Sequence, residues 1–165
     1  LRWVTYPLPG GSVMPIVRFK TTPTVTAGAY SANDVVGGRL QFIGWRHGTL
    51  QSVTITDAAA QAVDYTLVFF ESQPTDIADN ATFDIADADL GKIIYQDGLT
   101  SSANRQAFTD NSYHFLYNLD VPMWGTGSDI WAFLITAGTP TYAATSDITV
   151  TVQVETEGKR IGLSS

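Results

Sequence analysis

An antiparallel β-sandwich of jelly-roll type, entered by an extended N-terminal arm, is the fold that the sequence predicts. Three observations carry this. Short apolar runs alternate with polar residues at a period of two, the mark of half-buried strands. Turn-forming Gly, Pro, Asn and Asp separate them, and no long stretch carries a helical apolar period. Four of the seven prolines crowd into the first 23 residues, where they block regular pairing and favour extended backbone.

The arm spans residues 1–26. Pro7, Pro9, Pro15, Pro23 and the pair Gly10-Gly11 punctuate it, and Val13-Met14-Pro15-Ile16-Val17-Arg18-Phe19-Lys20 is apolar enough to need a surface, in its own domain or a neighbour's. The sandwich domain covers 27–156. Val36, Leu40 and Phe42 share one parity; Val53 and Ile55 alternate with Thr54 and Thr56; Val63, Tyr65, Leu67 and Phe69 alternate until Val68 and Phe70 interrupt. Tyr113, Phe115, Tyr117 and Leu119 form a further expected inner face. Ile148, Val150, Val152 and Val154 form the clearest one, against Thr149, Thr151, Gln153 and Glu155. Ile130–Ile135 is apolar on both parities, which predicts a strand covered on both sides, in the middle of a sandwich or at a subunit contact. Asp84 to Leu90 alone reads as helical, with Asp84 as its cap. Residues 157–165 read as a mobile tail.

Composition bounds the function. With 165 residues and no cysteine, the chain is one domain's length, held by packing and hydrogen bonds without disulfides or thiolate metal sites. A net charge of -7, charged residues at 15% and no basic stripe argue against nucleic acid as a partner. No run has the apolar length of a membrane span and the start lacks a signal-peptide pattern, so a soluble chain with no membrane partner is expected.

Candidate chemistry is thin. Asp76, Asp79, Asp84, Asp87 and Asp89 are hard oxygen donors of the kind calcium takes, but their spacing lacks the every-second-residue ligands, turn glycine and closing Glu of an EF-hand. They read as a helix start and an acidic surface. His47 lies in the turn Gly44–Gly48 and His114 on the polar parity of a strand, neither with a metal-ligand partner in sequence. No Gly-x-Ser-x-Gly elbow appears. Catalytic, metal and cofactor residues are therefore predicted as none. Trp45 and Trp124 sit beside turns, where they serve either as sugar-stacking platforms or as packed rim and interface residues; Trp131 is expected to be packed.

Leu50–Asp57, Leu67–Pro74 and Asp79–Leu90, followed by Gly138–Tyr142 and Ser146–Ile148, resemble a family of tailed-bacteriophage virion structural proteins, over roughly residues 27 to 155. Members of that family look like capsid decoration, or cement, proteins. The resemblance implies a non-enzymatic jelly-roll homotrimer on the outer capsid surface of the virion, partnered by the major capsid protein and stabilising the shell. Expected contact residues are Val13, Met14, Ile16, Val17, Phe19, Trp45 and Trp124. The alternative is a tail or fibre module that binds host-surface glycan.

Overall fold

The computed structural model describes residues 15–99 and 102–156. Among them eleven strands form: β1 (Ile16–Thr21), β2 (Gly28–Ala29), β3 (Val35–Phe42), β4 (His47–Asp57), β5 (Tyr65–Phe70), β6 (Ile93–Leu99), β7 (Arg105–Ala107), β8 (Ser112–Trp124), β9 (Ile130–Thr136), β10 (Thr141–Tyr142) and β11 (Ile148–Glu155). The first sheet runs β1-β11-β4-β8-β7, the second β3-β9-β5-β6, and β2 pairs with β10 apart from both. Apart from β5 and β6, which pair within the second sheet, successive long strands pass back and forth between the two sheets. Chain neighbours such as β3 and β4 therefore lie across the core from each other, the double Greek-key wiring of a jelly roll.

Ile16–Thr21, inside the stretch expected to be arm, is strand β1. It pairs along the whole of β11, Ile16 against Glu155 through Thr21 against Val150. Its alternation explains why: Val17 and Phe19 turn inward, while Ile16, Arg18 and Lys20 face solvent. Val13, Met14 and the tail 157–165 lie outside the described residues.

The main core is built from the two inner faces. Val150, Val152 and Val154 of β11 and Val53 and Ile55 of β4 meet Leu40 and Phe42 of β3, Leu67 and Phe69 of β5, and Ala132 and Leu134 of β9. Burial of each of these Val, Ile, Leu and Phe side chains contributes about 1.5–3 kcal/mol. The double glycine at the start of β3 has a steric reason. Gly37 sits at φ +81, and a Cβ there would run into the Pro23 ring.

A second cluster lies on the far side of the second sheet. Val35, Val68, Phe70, Phe133 and Ile135 point outward and are buried, packed beneath Ile77, Phe83, Ile85 and Trp131. This is why β9 is apolar on both parities and why Val68 and Phe70 interrupt the alternation in β5. Their outer cover is the chain's own 71–92 segment, so the two-sided strand needs no subunit contact.

The acidic stretch is not a helix from Asp84. Residues 81 to 86 run extended, with alternate residues turned onto the sheet and Thr82 bridged to Asp34. Phe83 and Ile85 are thus drawn inward and Asp84 is left in solvent. A short 3-10 helix follows at Asp87–Lys92; its N-cap is Ala86, with no side-chain capping bond.

Candidate interaction face

Among the described residues, with the second sheet covered by 71–92, the sandwich keeps one open sheet face, the outer side of the first sheet. Register fixes what it displays. Across the strands, Lys20, Thr151, Thr54 and Phe115 stand in one row, and Arg18, Gln153, Ser52 and Tyr117 in the next. Thr149, Thr56 and Tyr113 make a third. The face is a hydroxyl-rich centre between a basic edge and an aromatic edge, and these three rows contain no carboxylate.

The aromatic edge comes from a parity change that the sequence conceals. Tyr113, Phe115 and Tyr117 were expected inside with Leu119, but the inward residues are Ser112, His114 and Leu116, followed by Leu119, Val121 and Met123. A bulge makes the switch. Ser52 pairs with Tyr117 and Leu50 with Val121, so residues 118 to 120 oppose the single Gln51. Asn118 and Asp120 take the left-handed backbone this needs, at φ 57 and 51. The three outward rings stack in a row with centroids 6.0 and 5.2 Å apart. The Tyr113 and Tyr117 hydroxyls meet at 2.9 Å. That hydrogen bond is the first cause of a raised Tyr117 pKa.

His114, expected on a solvent face, is 1% exposed. Its ring meets Tyr65 edge-on at 5.0 Å, and Nε2 lies 3.3 Å from the Ser112 hydroxyl. Burial, reinforced by the Arg105 charge and opposed by Asp64, lowers its pKa to about 4. His47 is exposed at the opposite end of the sheet, paired with Trp124, so the two histidines share no site.

The expected contact residues divide sharply. Ile16 and Trp124 are exposed, at 62% and 54%, and both look out from the first sheet. Val17 and Phe19 face the core, and Phe19 stacks on Trp45 at 5.7 Å. Trp45 is 0% exposed and also packs edge-on against Phe42 and Phe69. It can be neither a sugar platform nor a rim contact, because the turn that carries it folds the indole inward beneath β1. Its Nε1 is the one buried side-chain polar atom without a hydrogen-bond partner among the described residues. Trp131 is half-buried, with the Arg39 guanidinium 5.3 Å above its ring.

The aspartates are structural anchors. Asp79 accepts hydrogen bonds from Thr26 N and Oγ1, both at 2.6 Å, from the Tyr30 hydroxyl at 2.7 Å and from Gly37 N at 2.6 Å. Asp89 accepts from Thr75 N at 2.7 Å and pairs with Lys92 at 2.6 Å. Lys92 first, then Thr75, lowers its pKa to about 2. Among the described residues no three His, Asp or Glu side chains converge as a metal site would require.

No family model matches the chain, and no curated protein matches it in sequence. Among solved structures, one of Desmodium yellow mottle tymovirus is similar at 12% identity and a TM-score of 0.26, over 99% of this chain and 93% of that one. The likeness is too weak to carry function, and the jelly roll rests on the strand order itself.

Proposed function

We propose that the chain is a non-enzymatic decoration protein of a phage virion, which docks on the outer surface of the major capsid protein lattice and stabilises the shell. The observation that carries this is the asymmetry of the two sheet faces. One is sealed by 71–92. The other is left open by the described residues, poor in charge, rich in threonine and aromatic rings, and bordered by the edge strand β1 into which residues 1–14 lead. Such a composition suits a broad contact with a protein surface. The resemblance of residues 27 to 155 to decoration proteins points the same way, and implies a homotrimer. The mechanism is mechanical: contacts that exist only on the assembled lattice add stability to it, and many weak attachments act together.

The test uses shells assembled from the major capsid protein of the same genome. The wild-type chain should co-sediment with them. Thr54→Lys with Phe115→Lys, both on the open face, should abolish binding without lowering the melting temperature. Full decoration by that variant would remove the proposed face, and failure of the wild type to bind would remove the function. A three-chain mass in sedimentation velocity is expected; a monomer mass would discard the trimer.

A further inference from the structure

We infer that the cleft beyond Tyr113, at the end of the aromatic row, is a binding site for a neutral saccharide. It has a volume of about 420 Å³, within the range of small-ligand sites. It lies between the β7–β8 turn and the turn leading into β11, with the end of β4 beneath. Phe108 forms one wall. It is 58% exposed, belongs to neither core cluster, and is projected by a turn closed through Phe108 N to Asn111 O at 2.8 Å. Tyr113 forms another wall as the last ring of the row, with Phe115 stacked on it.

The rest of the lining selects the ligand's chemistry. Thr56, Asn111, Ser146 and Thr149 are neutral donors and acceptors. Two carboxylates also border the cleft, but the chain's own loops engage both. Asp57 is fully buried and accepts from Ala59 N at 2.8 Å and Gln61 N at 2.9 Å. Asp147 Oδ2 accepts from Ala143 N and Ala144 N, both at 2.9 Å. Among the described residues no lysine or arginine lines the cleft. An anion would meet two carboxylates and no cation among the described residues, and an apolar peptide side chain would leave the Thr56 and Ser146 hydroxyls unpaired, the Thr149 hydroxyl being already shared with Thr22 at 3.0 Å. A pyranose ring answers both demands, with a C–H face for Phe108 and Tyr113 and hydroxyls for the neutral side chains.

The inference does not rest on lattice docking, and its readout needs no shell. Saturation-transfer NMR and calorimetry on the full chain would screen cellotriose, maltotriose, triacetylchitotriose and a galactan trisaccharide, beside trigalacturonate. At least one neutral trisaccharide should bind saturably. Phe108→Ala, a surface change that should leave the melting temperature unaltered, should weaken it about tenfold, and Tyr113→Ala similarly. Ile43→Ala, in a separate exposed turn, should leave binding unchanged. Absence of neutral-sugar binding up to about 10 mM, unaltered affinity in Phe108→Ala, or preference for trigalacturonate would overturn the proposal.

Discussion

His114 shows how a single residue reverses the reading of a strand. A histidine flanked by tyrosine and phenylalanine looks like the solvent-facing member of the pattern, yet it is the histidine that lies inside. Aromatic residues have no obligation to be buried, whereas a neutral histidine can be once its ring is packed and a hydroxyl stands beside it. This predicts a pH dependence. The folded-state pKa of about 4 lies below the ordinary 6.5, so the unfolded chain takes the proton first. Stability should be intact above pH 6.5 and fall by up to about 3 kcal/mol as pH drops towards 4. Asp57 acts in the opposite sense, because burial raises its pKa and protonation on acidification relieves a buried charge. The two are separated by comparing urea unfolding of the wild type and His114→Phe across that range. The variant should lack the loss; an equal loss in both would assign it elsewhere.

At the scale of elements, β11 and the Val53–Asp57 half of β4 were legible because each buries one face and alternates without interruption, whereas a bulge at Gln51 shifts the parity of the first half of β4. The 71–92 segment was not. Only Phe83 and Ile85 keep a strand spacing and Ile77 stands apart from them, so the run is too short to read; the surface they match is formed by Val68, Phe70 and Phe133 from other parts of the chain. Anchoring depends on Asp79, whose carboxylate gathers donors from Thr26, Tyr30 and Gly37. Asp79→Ala strands those donors and should lower stability by about 3 kcal/mol in urea unfolding. Asp84→Ala should change it by less than about 0.5 kcal/mol, because Asp84 faces solvent and caps nothing; a loss equal to that of Asp79→Ala would restore a capping role. Asp89 adds a second, more acidic window. Its pKa of about 2 lies below the ordinary 3.8, so its contribution is present above pH 4 and lost as pH falls to 2. Asp89→Asn should abolish that pH dependence.

For the whole molecule, the decisive boundary lies within the proline-rich entry. Proline frequency blurred it, because Pro15 and Pro23 flank β1 while the strand between them is free of proline and alternates cleanly. β1 closes the first sheet over Trp45, through Phe19, and shields the edge of β11. Removing it would expose a buried indole and leave β11 as an unpaired edge flanked by Val150, Val152 and Val154, a template for association. A deletion of residues 1–25 should therefore cost several kcal/mol out of the roughly 5–15 kcal/mol that hold a domain together. It should also yield aggregating protein. A deletion of residues 1–14 leaves every pairing of β1 with β11 in place and should melt within a few degrees of the full chain. Paired thermal melts and light scattering decide the matter. If the shorter deletion also unfolds the domain, residues 1–14 belong to its folded body; if the longer one melts like the full chain, β1 is dispensable and the arm extends to residue 26 as the sequence alone suggests.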